Sequence, residues 1–548
     1  MLDELTTSSD LLCAAIERYS SACLAIQRSF ERGEKPHINT PQLLFRMDAE
    51  VEVATSLGLR LKTAKANINW CRSQARSHET INKLPSELLA RIFHLVHRAQ
   101  PCAKRDYASD MKAEPIYPTT ISLVCSRWRE VAFSIPTLWT HIDISTSRLL
   151  NQQRLNGLVQ RHLNQVGQLP LDLHVFDPPG HGHGVSFHHY GPIQDLIAQL
   201  ASRAMSFDLD LKQEFDYANH YDILSTFIAS CTPGKFTRLT LSQWGRGTHE
   251  FLDSTFNTPG TDGETISFER VEDILSRISV LRLSRLFPLW GSRAYHGLVE
   301  LRLGEGRFPI TESDFTNILR SSPDLHILQF SLHISDPLPV DHQPTPIPLK
   351  KLEVLNFSKL NSNKLSALLR WIAPGSKPLQ FAIGLKDEGF GPQFMEENSR
   401  LFFSRSRITR AYTRGLSPTR VLELLVQLPD IEELIVKETE FTQEHLEEAP
   451  RLIPERQLDY FHLTACWVDI HVILALVTDY SLKVKTVSFH DCRFYLGGVS
   501  ISEDHRASHI EEFNRNHPNI RFIMRPGKEP SPAESWDLFA SHELPWAG

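Results

Sequence analysis

"LHILQF", residues 325–330, carries apolar side chains at its first, fourth and sixth positions, and the same frame returns 27 residues on as "LEVLNF" at 352. Further out it recurs as "FTRLTL" at 236, "ISVLRL" at 278, "LVELRL" at 298, "IEELIV" at 431, "LDYFHL" at 458 and "VKTVSF" at 484. Successive steps are 42, 20, 27, 27, 79, 27 and 26 residues, and the gap of 79 is close to three units with a weaker copy, "PLQFAI", at 378. A short extended motif at such a period means a stack of similar units. Each is too small to bury its own apolar face, so neighbours complete one another's core.

The spacing is that of leucine-rich repeats, a strand followed by a helix or loop in ~20 to 29 residues. The fold expected is therefore α/β: N-terminal helices, then an irregular leucine-rich-repeat-like solenoid with parallel strands on its concave face and helices and loops outside. The segments before the strands agree. "DFTNILRSSP" puts Phe315, Ile318 and Leu319 on one helical face and stops at Pro323; "TRVLELLVQLPD" does the same with Val421, Leu424, Leu425 and Leu428 before Pro429. Two late units carry cysteine three residues after the motif, Cys466 and Cys492. A side chain there turns inward and satisfies backbone groups where the strand bends away. Earlier, "LPLDLHVF" at 169–176 and "MSFDLDLK" at 205–212 alternate like strand and read as degenerate first repeats.

Because strand side chains alternate, the residues beside the inward apolar positions point to the concave face. That face is expected to carry Arg238, Arg282, Glu300 and Arg302 early, Gln329 and Asn356 in the middle, and Glu433, Lys437, Tyr460, His462, Ser488 and His490 late. A surface basic at one end and mixed at the other suits a peptide or protein ligand.

Composition narrows the function. With 58 basic and 65 acidic residues the formal charge is −7, and no long basic run marks a nucleic-acid binder. The longest strongly apolar run, "VILALV" at 472–477, is far short of the ~20 residues that span a bilayer. No membrane association is expected, and the chain is placed in cytosol or nucleus. Eight scattered cysteines without a C-x-x-C pair read as reduced thiols. Catalytic motifs such as G-x-S-x-G and H-E-x-x-H are missing, which favours binding over catalysis. "GHGHGVSFHHY", with His181, His183, His188 and His189, reads as a solvated loop without the carboxylate or thiolate that would define a metal site. No cofactor and no metal are expected.

Near the start, Thr40 and Pro41 form an N-cap and first helical residue. Leu44, Met47, Val51, Ala54, Leu57, Leu61, Ala64, Ile68 and Cys71 then recur at steps of three and four, either packing back on their own domain or forming a dimer seam. "INKLPSELLARIFHLV" at 81–96 is a second amphipathic helix with Leu84, Leu88, Leu89, Ile92, Phe93 and Val96 on one wide face. A polar, turn-forming segment at 99–118 follows. "ISLVCSRWREVAFSIPTLW" then sets Val124, Cys125, Trp128, Val131 and Ala132 on one face, ended by Pro136.

These two helices together resemble the F-box. Leu84, Pro85, Glu87, Leu88, Leu89, Ile92 and Phe93 match its first part, and Val124, Cys125, Trp128 and Arg129 its second. "IPTLWTHIDI" is similar to the end of the F-box in many fungal members. The resemblance covers roughly 79–145, and departs from the family in the long segment between the helices, which lacks a match to the middle helix. It implies a substrate-recruiting subunit of a Skp–cullin–F-box ubiquitin ligase: the F-box docks on a Skp-type adaptor and through it a cullin, and the repeats hold an unidentified target protein. The receptor does no covalent chemistry itself. The implied adaptor-binding set is Leu84, Pro85, Leu88, Leu89, Ile92, Phe93, Val124, Cys125 and Trp128. Within the first helix, spacing assigns Leu84, Pro85, Leu88 and Ile92 to the partner, while Leu89, Phe93 and Val96 lean inward.

The expected organisation is N-terminal helices at 1–78, F-box at 79–145, solenoid at 146–525 and a disordered tail at 526–548 whose Trp536, Phe539, Leu544 and Trp546 form an apolar strip. The alternative is a non-degradative interaction scaffold, dimeric through residues 41–71.

Overall fold

A computed structural model of the chain describes residues 2–33, 40–76, 80–99, 118–146, 152–177, 191–211, 220–243, 249–252, 267–304, 306, 308–339, 344–360, 362–385, 397–443, 457–478, 482–497, 499–501, 503–525 and 532. Residues 100–117 of the polar segment, the four-histidine loop and the tail from 526, residue 532 apart, lie outside the described residues. The chain divides into two compact units, Met1–Pro85 and Ser86–Gly548.

The first unit holds two long helices, α1 (Leu2–Glu31) and α2 (Thr40–Arg76). α2 starts at the Thr-Pro signal and runs unbroken through Gly58. The Tyr19 hydroxyl of α1 donates to Glu50 Oε2 of α2 at 3.2 Å. α1 buries none of its residues, and Leu44, Val51, Leu57 and Ile68 of α2 are all more than two-fifths exposed.

The second unit opens with α3 (Ser86–Ala99), a short helical turn at Thr119–Ser122, α4 (Ser126–Phe133) and a 3-10 turn at Pro136–Trp139. Then comes, among the described residues, one sheet of fourteen strands. They are β1 (His141–Ser145), β2 (Leu171–Phe176), β3 (Ala204–Leu211), β4 (Arg238–Gln243), β5 (Val280–Ser284), β6 (Glu300–Leu303) and β7 (Ile327–Phe330). The second half comprises β8 (Val354–Leu360), β9 (Leu379–Leu385), β10 (Ile408–Arg414), β11 (Glu433–Lys437), β12 (Gln457–Thr464), β13 (Lys483–His490) and β14 (Arg521–Arg525). Consecutive strands of this series pair in parallel from β1 to β14. An α/β, solenoid-like repeat unit thus follows a helical segment.

Every motif located by spacing lies on one of these strands. The 79-residue gap is filled by β9, the weak copy at 378, and by β10, which the motif did not reveal. In β10 the positions registered with Leu434 and Val436 are Ala411 and Thr413, small or polar where the pattern asks for leucine. They are nonetheless fully buried.

Alternation gives the sheet two unlike faces. On the apolar face aromatic pairs seat the connecting helices. Phe207 of β3 stacks on Phe227 of the helix His220–Ser230 with centroids 4.1 Å apart, Phe330 of β7 meets Phe315 of the helix Glu312–Ser321 at 5.0 Å, and Phe381 of β9 meets Phe403 at 5.5 Å. Those helices begin as their sequences dictate: Thr311 accepts a hydrogen bond from the Asp314 amide, and Ser417 caps the helix Pro418–Gln427 with proline at its first position. Where β11, β12 and β13 end, Glu438, Ala465 and Asp491 take φ of 55°, 50° and 55°. These left-handed turns send the chain into short strands, Glu440–Phe441, Trp467–Asp469 and Arg493–Leu496, that form a second parallel ladder. Just after two of the turns, Cys466 Sγ donates to Val436 O and Cys492 Sγ to Leu463 O, at 3.4 and 3.2 Å. The thiols therefore play the inward, backbone-satisfying part expected of them.

One polar group is locked deep in this unit. Glu312, 1% exposed, accepts from Arg370 Nε and Nη2 at 2.6–2.9 Å, from the Leu338 amide at 2.6 Å and from Trp371 Nε1. Arg370 also donates to the carbonyls of Leu338 and Pro339.

Candidate functional site

α3 has two apolar stripes with opposite fates. Leu89 and Phe93, one turn apart, are fully buried, and Phe93 packs on the Trp128 ring of α4 with centroids 5.0 Å apart. About 100° round the helix, Leu88 and Leu95 are each 51% exposed, with Ile92 half-buried between them. The loop into α4 adds Leu123 and Val124, 67% and 57% exposed. Isolated surface leucines are ordinary, but several together beside a completed core form an uncovered apolar patch.

Several sequence assignments change here. Leu89 and Phe93, counted in the adaptor-binding set, are core residues with no surface to offer. Val96, expected to lean inward, lies one turn beyond the Phe93–Trp128 contact and is 41% exposed. Cys125 is the N-cap of α4, its Sγ accepting from the Trp128 amide at 3.5 Å, and Trp128 is half-buried. Of the expected set in this unit, Leu88 and Val124 are the freely exposed members, and Ile92 is partly so. In the first unit Leu84 is half-buried and Pro85 exposed. Leu95 and Leu123 were missed, because periodicity locates an apolar face without saying which part of it is covered.

The helical segment is joined to the sheet through Trp139. Its ring is fully buried against Phe133 and His162, and its Nε1 donates to the Ala132 carbonyl at 2.9 Å. His162, on the helix Gln152–Val166, donates from Nδ1 to the Trp139 carbonyl at 3.2 Å. Burial pushes its pKa from 6.5 down to about 4, against a smaller opposing effect of that carbonyl. The folded state thus holds a neutral imidazole that the unfolded chain protonates below pH 6.5. Its contribution is complete above that pH and lost as pH falls towards 4, about 3 kcal/mol in all. Unfolding free energies from denaturant titrations at pH 7 to pH 4 should fall more for the natural chain than for His162→Gln by roughly that amount. Parallel slopes would refute the assignment.

On the polar face of the sheet, register aligns one row across all fourteen strands: Asp143, His174, Asp208, Thr240, Arg282, Arg302, Gln329, Asn356, Ala382, Tyr412, Ile435, His462, Ser488 and Ile523. The residues expected on the concave face fall on this row or two positions to either side. Their exposure differs from expectation. Arg282, Glu300, Arg302, Gln329, Asn356, His462, Ser488 and His490 are buried, Arg238, Glu433 and Lys437 half-buried, and Tyr460 is 49% exposed.

The expected basic end is absent as well. Arg282 Nε donates to Glu300 Oε1 at 2.7 Å and Nη2 to Oε2 at 3.2 Å, while Arg302 pairs with the same carboxylate. Burial alone would raise the Glu300 pKa, but the two guanidinium groups hold it low; burial brings Arg302 down to about 10. The two arginines are thus spent largely on a shared internal partner. Upstream, β1–β3 carry Asp143, Asp172, Asp208 and Asp210 on this face. The late strands hold the accessible groups: Tyr460 stacks on His462 with centroids 5.6 Å apart, His462 hydrogen-bonds Ser488, and Arg410 donates to Glu433 Oε2 at 2.7 Å. Burial lowers the His462 pKa, with Glu433 opposing it. Arg410 escaped the sequence because its strand did.

At the other end of the row, His141 Nε2 and His174 Nδ1 both reach Asp143 Oδ1, at 3.0 and 2.8 Å. Burial disfavours charge on His141 and on Asp143, but their mutual attraction prevails: the imidazole pKa is raised and the carboxyl is held well below its usual range. In the sequence the histidine-rich loop is the conspicuous cluster, and the members of this trio lie too far apart to stand out. The signal was an H-x-D on one strand and a histidine at the matching position of the next.

Residues 81–145 match the F-box-like family, so this chain carries an F-box-like domain made of α3, α4 and the flanking turns and ending on β1. The match supports an F-box adaptor role in ubiquitin ligase complexes and implies binding to a Skp-type adaptor; F-box domains are typically non-catalytic. No curated protein matches the chain. Among the described residues no helix is long and apolar enough to cross a membrane.

Proposed function

We propose that this chain is the substrate-recognition subunit of a Skp–cullin–F-box ubiquitin ligase of the fungal type, acting in cytoplasm or nucleus. Its F-box-like domain takes the Skp-type adaptor, which brings the cullin, and its sheet, an irregular leucine-rich-repeat solenoid, takes a target protein. The observation that carries this is the uncovered stripe of Leu88, Leu95, Leu123 and Val124 beside a finished core. Apolar side chains in that setting are what an interface anchor needs. The polar face supports the second half. Tyr460, 49% exposed, offers an accessible aromatic beside the partly exposed Arg410–Glu433 ion pair. The receptor's contribution is proximity, holding target and conjugating enzyme at high local concentration. The chain is expected to co-purify with its Skp-type adaptor in equal amounts, and some bound proteins to accumulate when the adaptor is depleted. No adaptor in the purified complex would refute the proposal.

A second possibility is a scaffold dimeric through the first unit. It is favoured by the exposed apolar residues of both long helices, among them Leu11, Phe45 and Val51 at 69%, 76% and 64%. Light scattering on the same complex separates two chains from one.

A further inference from the structure

We propose that His141, Asp143 and His174 form a structural zinc site between the first two strands of the sheet. His141 and Asp143 stand two residues apart on β1 and so share a face, while His174 is the register partner of Asp143 on β2. The parallel ladder itself therefore holds the three groups together. Their ligand atoms, one from each residue, lie within 4.8 Å of one another. The side chains are 8%, 4% and 6% exposed.

The chemistry selects the ion. Two imidazoles and a carboxylate suit zinc, whereas calcium and magnesium take oxygen donors almost exclusively. Both ring nitrogens lie close to one carboxylate oxygen, 3.0 and 2.8 Å away. Zinc bonds of 2.0–2.2 Å place neighbouring ligands about 3.3 Å apart. Each nitrogen–oxygen pair needs to spread by only a few tenths of an ångström. Charge points the same way: His141 is registered with Asp172 and His174 with Asp208, so two further carboxylates adjoin the site. Asp172 is held by the Ser206 hydroxyl at 2.6 Å. Asp208, 9% exposed and the register partner of His174 on the neighbouring strand, is a candidate for a fourth ligand. A dication answers a buried, net acidic neighbourhood that side chains alone answer with two imidazoles. The enclosure makes the role structural, since zinc in catalysis keeps an open position. Trp139 lies two residues before His141, so the ion ties the edge of the sheet where the F-box-like domain joins it.

The test uses the full chain without an affinity tag, stripped with chelator and titrated with zinc, and with cobalt(II) as a spectroscopic reporter. One equivalent of zinc is expected at sub-micromolar affinity, with a rise in thermal midpoint and, for cobalt, the visible absorption of a four-coordinate nitrogen and oxygen site. The double variant His141→Gln with His174→Gln should weaken zinc about 100-fold or more, and Asp208→Asn about 10-fold. A variant with His181, His183, His188 and His189 all changed to alanine should keep the full equivalent. Because the buried double variant can fail to fold, that loop variant and X-ray absorption on the unaltered chain, showing two imidazoles and a carboxylate at 2.0–2.2 Å, decide independently. No zinc uptake by the unaltered chain, or uptake lost with the loop histidines, overturns the proposal.

Discussion

Replacing Glu312 by alanine is expected to destabilise the second unit by about 3–5 kcal/mol, the cost of leaving one partner of a buried ion pair uncompensated. The carboxylate is 1% exposed and receives Arg370, Trp371 Nε1 and the Leu338 amide. Truncation strands a guanidinium that is itself 4% exposed, together with two further donors. Glu312→Gln should recover part of the loss, since an amide oxygen still accepts while the charge is gone. Arg370→Met in the Glu312→Ala background should relieve the damage rather than add to it, because it removes the orphaned cation. Urea unfolding of the natural chain, Glu312→Ala, Glu312→Gln, Arg370→Met and the double variant measures this directly. A Glu312→Ala cost under 1 kcal/mol, or strict additivity with Arg370→Met, would show that the pair is worth no more than a surface salt bridge.

The second large effect is on assembly. Leu88→Ala with Val124→Ala should weaken adaptor binding about 100-fold. Removing several buried methyl and methylene groups at ~0.8 kcal/mol each gives about 3 kcal/mol or more, and ~1.4 kcal/mol is a factor of ten. Both side chains are more than half exposed in the free chain, so its stability should change by less than about 1 kcal/mol. That separation is why these two residues are chosen. Leu89→Ala or Phe93→Ala would cost about 2–5 kcal/mol of folding, and Trp128→Ala would remove the ring packed on Phe93. Loss of binding in those variants would say little about contact. Isothermal titration with purified adaptor, alongside denaturation of the double variant, is the measurement; unchanged affinity in a stable double variant would remove α3 from the interface.

How far these features were legible from the residues varies with what each depends on. The repeat was plain because apolar-x-x-apolar-x-apolar reports a strand buried on one face and leaves its mark in every unit that uses large side chains. β10 was invisible since Ala411 and Thr413 fill the same places with less volume. β1, "HIDIS", was quoted only as part of the family-like stretch, and in β14, "RFIMR", Asn519 stands where the motif asks for its first apolar residue. Periodicity also identified α3 and α4 without saying where one helix stops covering the other, which is why Leu89 and Leu88 were grouped together. The ion cluster of Arg282, Glu300 and Arg302 was hidden for another reason: three charges on one face look like a surface until register sets them side by side. The histidine and aspartate trio needed the same knowledge. Alternation shows which way a side chain points, but only strand pairing shows what stands next to it.

The order of the strands has a consequence for how the molecule comes into being. Since β1 to β14 join in the order in which they are translated, each new ladder is made with the strand of this sheet that left the ribosome before it. Among the described residues no strand of this sheet waits for a distant partner, so apart from the outer edge of β1 the growing edge is the one left open, and the F-box-like domain is complete before that growth begins. Vectorial assembly of this kind adds one new open edge at a time, where a sheet built from distant segments would leave several open to misassembly.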